Sequence, residues 1–258
     1  MSRQDPDVLD SVEKAFLVLQ AFSADHPALT VSEAAELTGL SRATARRVLL
    51  TCQKLGFAEG DDGRFRLTPR VLSLGYGYLS SLPLWDHAHR HMRDLADLLK
   101  ESCSVSALDG GEIVYVARVP AKRTMALTLT VGSRLPAYPT SMGRVLLAAQ
   151  SREWLDAYLA GTELVALTGR TITDRAELRQ ELDRVREQGF AVVDEEREEG
   201  VRSAAAPLRD RTGRVIAALN VSANAARVPL AELRGAYVPE VVRTAEVITR
   251  DMGFFISR

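Results

Sequence analysis

The sequence predicts an α+β protein with a winged helix-turn-helix at its N-terminus, a linker helix, and a C-terminal domain whose mostly antiparallel sheet is flanked by helices. Two short capped helices and a glycine-containing hairpin precede residue 68, and the periodicity changes from helical to alternating at residue 102. A length of 258 residues suits two domains. We therefore predict a DNA-binding domain at 1–68, a linker helix at 69–85 and a second domain at 86–258.

The composition is that of a soluble globular protein, with 46% hydrophobic and 26% charged residues and a net charge of −1. No apolar run approaches the roughly 20 residues that span a bilayer, and the first ten residues are too polar for a secretory signal. Cys52 and Cys103 lie too far apart for a CxxC motif, so we expect buried thiols in a reducing compartment. The chain is predicted to be cytoplasmic. It has no dinucleotide fingerprint or P-loop, so no cofactor is expected.

Capping signals predict the first two helices. Asp10 with Glu13, and Thr30 with Glu33, have the spacing of capping boxes, and Gly39 is suited to end the second helix. The apolar face of the first helix is predicted to consist of Val12, Ala15, Phe16, Leu19 and Phe22.

The third helix, "SRATARRVLLTCQKLG", has the pattern of a recognition helix that Ser41 would cap. Six of the eight cations among residues 1–67 fall between residues 42 and 66, against three acids. Its core face is predicted to be Ala45, Val48, Leu49, Cys52 and Leu55. The residues expected to face the major groove are Ser41, Arg42, Ala43, Thr44, Arg46 and Arg47.

The stretch "FAEGDDGRFRL" predicts a hairpin that turns at Asp62 and Gly63. Phe65 would face the core, which leaves Arg64 and Arg66 on the outside as a wing against the phosphate backbone. The alternative is a three-helix structural module with a solvated basic face. The order of helix, helix and wing favours double-stranded DNA as the partner.

An apolar stripe follows in the predicted linker helix, formed by Val71, Leu74, Tyr78 and Leu82. Such a stripe suits pairing with a second copy, which would present two recognition helices to a palindromic operator. His87 and His91 have the spacing of two metal ligands on a helix, but no third ligand is evident nearby. Solvated histidines are therefore favoured, and a metal sensor is the weakest alternative.

From residue 102, hairpins alternate with helices. Two strands are predicted around the turn at residues 109–111, a third in "TMALTLTVGS", and three more in "GFAVVD", "SAAAPLRD" and "GRVIAALNVS". Helices are predicted near 141–150, 151–160, 174–188 and 229–251. Strands in hairpins with helices between them predict an antiparallel α+β domain.

Several of these segments together resemble the IclR family of transcriptional regulators, notably "TGLSRATARRVLLT", "LTPRVLSLG", "RLPAYPTSMGRVLLA" and "REQGFAVVDEEREEGVRSAAAPLRD". The resemblance runs from about residue 10 to the last helix and is strongest to the subgroup that controls protocatechuate and 4-hydroxybenzoate breakdown. It implies a GAF-like effector-binding domain and a homodimer, or a dimer of dimers. Two departures from the family pattern are Lys14-Ala15 and Ala204.

The resemblance also implies an effector pocket against the sheet. The expected pocket residues are Met125, Leu135, Tyr138, Thr140, Ser141, Met142, Gly143, Asp194, Val201, Ser203, Ala204, Asn220 and Ser222. The amides and hydroxyls at the start of the helix in "PTSMG" suit a carboxylate, since helix N-termini bind anions. Apolar walls would come from Met125, Leu135, Tyr138 and Met142. In the alternative interpretation, Ser141 only caps its helix.

A hydrolase-like enzyme fused to a DNA-binding domain is the second hypothesis, with Ser141 as its nucleophile. It is disfavoured because "TSMG" lacks the G-x-S-x-G elbow and all four histidines precede the sheet domain. The acidic "DEEREEG" does not have the spacing of a calcium loop, so a solvated turn is expected there. No catalytic or metal-binding residue is predicted. The favoured function is a regulator that responds to protocatechuate, 4-hydroxybenzoate or β-ketoadipate.

Overall fold

A computed structural model describes residues 7–23, 25–61, 63–81, 84–121 and 129–255. The chain divides into two compact units, residues 1–81 and residues 82–258. Within the described part, no helix is both long enough and apolar enough to cross a membrane. Each unit has its own apolar core.

The first unit is a small helical domain with a three-stranded sheet. Its helices are α1 (Asp10–Gln20), α2 (Val31–Thr38), α3 (Arg42–Lys54) and α4 (Leu72–Ser81), with a 3-10 turn at Pro69–Val71. Its strands are β1 (Leu29–Thr30), β2 (Ala58–Asp61) and β3 (Arg64–Leu67), in the antiparallel order β1-β3-β2. The order α2, α3 and the β2–β3 hairpin is the predicted winged helix-turn-helix.

Local capping chemistry defines α2 and α3. Thr30 accepts from the backbone N–H of Glu33 while the Glu33 carboxylate accepts from Thr30 N, which confirms the predicted capping box. Gly39 ends α2 in the left-handed conformation (φ 68°), which favours glycine. Ser41 caps α3 by accepting from the backbone N–H of Thr44, as predicted.

The first helix differs from the prediction. Asp10 is its first residue rather than its cap, Leu9 occupies the N-cap without a side-chain bond, and the Asp10 carboxylate pairs with Lys14 instead. Val18 is its buried residue, whereas Val12 and Phe16 are exposed. The expected apolar face was therefore only partly right: Val12 and Phe16 lie on the surface of this unit, whereas Phe22 packs against its core.

The second unit contains a six-stranded sheet with helices on both faces. Its helices are α5 (Leu84–Leu99), α6 (Ser141–Ala148), α7 (Arg152–Gly161), α8 (Arg175–Gln188), α9 (Leu230–Glu232) and α10 (Val238–Phe255), with a π-helical turn at Leu233–Tyr237. Its strands are β4 (Ser102–Asp109), β5 (Glu112–Val119), β6 (Arg134–Pro136), β7 (Ala191–Asp194), β8 (Val201–Arg209) and β9 (Val215–Asn224).

All neighbouring strands of this sheet are antiparallel, in the order β6-β5-β4-β9-β8-β7. Helices α5 and α10 pack on one face of the sheet, and α6 and α8 form the core on the other face. The α+β class and the predicted hairpins are thus confirmed. Part of the strand expected in "TMALTLTVGS" lies outside the described residues, and residues 129–133 contain a turn rather than a strand.

Candidate functional sites

The N-terminal part of α3 presents a cationic surface. Arg42, Arg46 and Arg47 are exposed, and none of them forms an ion pair with any residue that the structure describes. Ala45 and Leu49 are fully buried on the opposite side of the helix. The helix therefore has a buried apolar face and an exposed basic face, as contact with the major groove requires.

The remaining predicted groove residues have mixed environments. Ala43 is exposed, and because its side chain is only a methyl group, the surface of α3 is flat at that point. The Ser41 and Thr44 hydroxyls lie 2.9 Å apart and take part in the helix cap. Their first role is thus to begin the helix.

The two wing arginines are not equivalent. Arg64 pairs with Glu33 (Nη2–Oε1 3.3 Å) and donates to the carbonyl of Ala28, so its guanidinium is held against the domain. Arg66 is exposed and has no ion-pair partner among the described residues. Phe65 between them is buried, as predicted.

A cavity of about 50 Å³ lies in the second unit, between the start of α6 and the adjacent face of the sheet. Eight of the expected pocket residues line it, and they are Leu135, Thr140, Ser141, Met142, Val201, Ser203, Asn220 and Ser222. It is also lined by Ser102, Tyr115, Arg118, Leu129, Pro139, Val193 and Arg197, which sequence reasoning missed. The sequence-predicted residues from four separate segments thus meet at one place.

The sheet supplies the polar floor of this cavity through strand register. Ser102 on β4, Ser222 on β9 and Ser203 on β8 are direct partners across three strands. Asn220 lies in the next row, opposite Ser104. Because side chains alternate between the faces of a strand, the residues between them point into the apolar core under α5 and α10.

Thr140, rather than Ser141, caps α6. The Thr140 hydroxyl accepts from the backbone N–H of Gly143 at 3.0 Å and donates to the carbonyl of Ala137. Ser141 is the first helical residue, is only 1% exposed, and its hydroxyl has no hydrogen-bond partner among the described residues. The interpretation in which Ser141 merely caps the helix is therefore wrong.

The first turn of α6 also leaves backbone donors unused. The N–H groups of Ser141 and Met142 have no partner in the described part of the chain. A helix start carries a partial positive charge and unpaired N–H groups, which together favour an anion. Met142 is buried beside them and provides an apolar wall.

Two arginines line the cavity. Arg118 donates to the hydroxyls of Ser104 (3.3 Å) and Ser102 (3.5 Å), and Arg197 pairs with the half-exposed Glu198 at the surface. No acidic side chain is among the described residues that line the cavity. Burial raises the pKa of Tyr115, and the positive charges of Arg118 and Arg197 oppose that rise. The described lining of the cavity therefore contains two cationic side chains and no anionic one.

Tyr115 and Arg118 share the cavity because of a local irregularity. They are three residues apart, which in a regular strand would place them on opposite faces. The register between β4 and β5 shifts at Val105 and Ser106, so that Ser106 faces Tyr115 and Val105 faces Ala117. This β-bulge turns both side chains to the same face. A prediction based on strict alternation of side chains along the strand would therefore not place both residues in the cavity.

Several expected pocket residues lie elsewhere. The Tyr138 hydroxyl donates to the carbonyl of Val165 at 2.7 Å, and Gly143 packs against Ala137 within the fold. Asp194 pairs with Arg170 and Arg202. The remaining two are Ala204, which points to the apolar core on the opposite face of the sheet, and Met125, which falls outside the described residues.

The acidic turn after β7 is not the solvated turn that was expected. Glu196 is buried, and its carboxylate forms an ion pair with Arg144 of α6, itself 1% exposed. The same carboxylate accepts from the backbone N–H of Ile172. The turn that carries Arg197 is therefore anchored to the helix that begins at the cavity.

The described residues around Ser141 offer no general base for a nucleophile. No histidine, lysine or carboxylate is among the described residues that line the cavity. His91 instead contacts Asp251 on α10 (Nε2–Oδ2 2.8 Å), and the His87 side chain is outside the described part. Within the described residues, no group of three or more potential metal ligands is assembled.

Comparison with known proteins agrees with these two units. Residues 11–62 match the IclR helix-turn-helix domain, and residues 76–250 match the bacterial transcriptional regulator IclR C-terminal domain. The chain is 42% identical over 236 residues to the Pca regulon regulatory protein of Pseudomonas putida. The alignment covers 91% of this chain and 81% of the relative.

Comparison with solved structures also finds transcriptional regulators that match most of this chain. One is the crystal structure of a protein from Rhodococcus sp. RHA1 that is described as a transcriptional regulator. Its sequence is 46% identical to this chain, and the two structures superpose with a TM-score of 0.84 over 96% of this chain and 100% of that one. An IclR homologue from Microbacterium hydrocarbonoxydans, solved in complex with 4-hydroxybenzoate, is 26% identical with a TM-score of 0.82. That match covers 94% of this chain and 98% of the homologue.

A winged helix-turn-helix joined to an α+β domain with an internal cavity is the architecture of a DNA-binding transcriptional regulator. The length and strength of the matches make the assignment specific: this chain belongs to the IclR family of bacterial transcriptional regulators.

Proposed function

We propose that this protein is a cytoplasmic, ligand-responsive regulator of aromatic-acid catabolism and not an enzyme. It binds a palindromic operator through α3 and the wing, and a small organic acid in the cavity beside α6 changes operator binding or transcription. The single observation that carries the acid site is the buried, unpartnered Ser141 hydroxyl at a helix start, in a cavity with two arginines and no acidic lining residue.

In this proposal the carboxylate is held by three kinds of donor. The Ser141 hydroxyl and the N–H groups of Ser141 and Met142 have no other partner among the described residues, and Arg118 supplies the formal charge. Charge-assisted hydrogen bonds of this kind are stronger than neutral ones. The apolar body of the ligand would contact Leu135 and Met142.

The ligand class is supported by two relatives. The homologue from Microbacterium hydrocarbonoxydans was solved with 4-hydroxybenzoate, and the 42% identity to the Pca regulon regulator fits the resemblance to the subgroup that controls protocatechuate and 4-hydroxybenzoate breakdown. We therefore assign protocatechuate, 4-hydroxybenzoate or β-ketoadipate as the effector class. A cavity of about 50 Å³ has room for only a few water molecules, so an aromatic acid would bind with rearrangement of the lining.

We also propose a homodimer, or a dimer of dimers, paired through α4. Leu72 and Tyr76 are 75% and 69% exposed, and Leu74 and Tyr78 are half exposed, so apolar groups occur around much of this short helix. An exposed apolar surface of this kind is typical of a protein interface. Two recognition helices related by a twofold axis would match a palindrome.

Isothermal titration calorimetry of the full chain tests the acid site. The titrants are protocatechuate, 4-hydroxybenzoate, β-ketoadipate and an uncharged aromatic control, on wild type, Ser141→Ala and Ser151→Ala. Ser151 caps α7 and is not among the described residues that line the cavity, so it is a matched control. Saturable binding of an acid that only Ser141→Ala weakens supports the proposal. No binding of any acid, or consumption of the acid, contradicts it.

A further inference from the structure

We propose that the cavity selects acids that carry a hydrogen-bond donor away from the carboxylate, in the simplest case a hydroxyl, and that Asn220 is the residue that selects them. This inference rests on the acid-binding function proposed above. It adds which chemical group the site requires in the part of the ligand away from the carboxylate.

Asn220 has half of its amide group unsatisfied. The residue is 4% exposed, and its Nδ2 donates to the hydroxyl of Ser222 at 3.2 Å. Its Oδ1 is buried and accepts no hydrogen bond from the described residues. A buried carbonyl oxygen without a donor is unfavourable, so its presence in a cavity wall points to a donor that arrives with the ligand.

The neighbouring strands do not supply that donor. Asn220 lies opposite Ser104 on β4 and opposite Ala205 on β8. Ala205 has no polar side chain, and no hydrogen bond joins the Ser104 hydroxyl, which accepts from Arg118 Nη1, to Asn220 Oδ1. The acceptor on Asn220 is therefore paired neither across β8 nor across β4.

Arg118 and Asn220 give the cavity two chemically different groups, a cationic donor and an uncharged acceptor. Arg118 on β5 faces Ser104, and Ser104 faces Asn220 on β9, so the two residues are two strands apart in one row. The Arg118 guanidinium reaches across to the hydroxyls of Ser104 and Ser102 on β4, the strand between the two residues. The cavity therefore offers donors to a carboxylate and, at Asn220, an acceptor to a proton-bearing group.

The acceptor on Asn220 distinguishes the candidate effectors by whether they carry a hydrogen-bond donor. A hydroxybenzoate presents a carboxylate at one end and an O–H at the other, so it satisfies both. A dicarboxylic keto acid such as β-ketoadipate has only acceptors at neutral pH, and it would leave Asn220 Oδ1 unpaired. The site therefore takes hydroxy acids in preference to keto acids.

Calorimetry with matched ligands tests the selection. The full chain is titrated with benzoate, the three hydroxybenzoate isomers and the corresponding methoxybenzoates, in wild type, Asn220→Leu and Asn224→Leu. Asn224 is on the same strand, and its Oδ1 accepts from Ala226 N outside the cavity, so its variant is the control. At least one hydroxybenzoate should bind wild type about 10- to 100-fold more tightly than benzoate, with its methoxy analogue no tighter than benzoate.

In Asn220→Leu the preference should fall below about threefold, since the acceptor has been removed, and in Asn224→Leu it should persist. Equal binding of benzoate and every hydroxybenzoate to wild type, or an unchanged preference in Asn220→Leu, overturns the inference while leaving the acid site standing. If Asn220→Leu does not fold, the hydroxy and methoxy pairs on wild type decide. If no acid binds at all, both proposals fail.

Discussion

The guanidinium of Arg144 forms a buried ion pair with the carboxylate of Glu196, with Nη2 2.5 Å from Oε2. Arg144 also donates from Nε to the carbonyl of Tyr138 at 3.0 Å. These contacts tie three parts of the domain together: α6, the segment that leads into it, and the acidic turn. Because α6 begins at the cavity and the turn carries Arg197, the pair fixes two of its walls.

Removing Arg144 should therefore destabilise the second unit. Arg144→Met leaves the Glu196 carboxylate buried without its cation, and we expect a loss of about 3–5 kcal/mol in the free energy of unfolding. Arg243→Met is the control, because Arg243 is 66% exposed and pairs with Glu240, three residues earlier on α10 and away from Arg144. That variant should lose less than about 1 kcal/mol. Urea denaturation measures both, and equal losses would argue against a special role for the buried pair.

Gly143 should not tolerate even one added carbon. A Cβ at this position would lie 1.9 Å from the carbonyl oxygen of Ala137, which is backbone and cannot move aside easily. We expect Gly143→Ala to lower the free energy of unfolding by about 3 kcal/mol or more. Gly161→Ala is the control, since a Cβ there meets nothing within 4 Å. A thermal melt of Gly143→Ala that matches wild type would show that the close contact is absent.

The charge on Arg118 should matter only for charged ligands. Arg118→Gln is expected to weaken binding of 4-hydroxybenzoate about tenfold or more, because a charge-assisted contact is lost. Binding of 4-hydroxybenzamide, the uncharged analogue, should change far less. Arg134→Gln serves as the control, since Arg134 pairs with Asp109 and Glu112 away from the cavity. Calorimetry that finds equal losses for the acid and the amide would assign Arg118 to packing instead.

Arg46 and Arg66 should contribute to DNA binding in different ways. On an operator selected from random sequence, Arg46→Ala should cost about 1–3 kcal/mol and relax the preference at one position, if it pairs with a guanine. Arg66→Ala should weaken operator and random DNA alike and reduce the salt slope by about one. Fluorescence anisotropy over a salt series separates the two. Sequence-independent weakening by Arg46→Ala would place that residue on phosphate.

The features that depend on short-range interactions were predicted correctly from the sequence. The capping box at Thr30 and Glu33 and the turn at residues 109–111 are local, and the structure contains both. The start of α6 was correct to the residue, yet the cap is Thr140 and the unpartnered hydroxyl is on Ser141. A hydroxyl pair in sequence does not indicate which member faces inward.

What could not be predicted depends on long-range partners. The burial of Glu196 follows from Arg144, which lies 52 residues earlier in the chain. Arg118 and Tyr115 face the cavity together because of a β-bulge that strict alternation does not reveal. One signal was present and unused: the serines of "SCSVS" alternate with apolar residues on a strand that is buried on both faces. Such a pattern is typical of a polar cavity floor rather than of a solvated face.

In vitro transcription from a promoter that carries the selected operator tests the central claim most directly. The acid that binds in calorimetry should change the transcript level, in either direction, with a half-maximal concentration close to its dissociation constant. Ser141→Ala should shift that concentration by the same factor as it shifts the dissociation constant, whereas Ser151→Ala should leave it unchanged. A transcript level that does not depend on the bound acid would contradict the account.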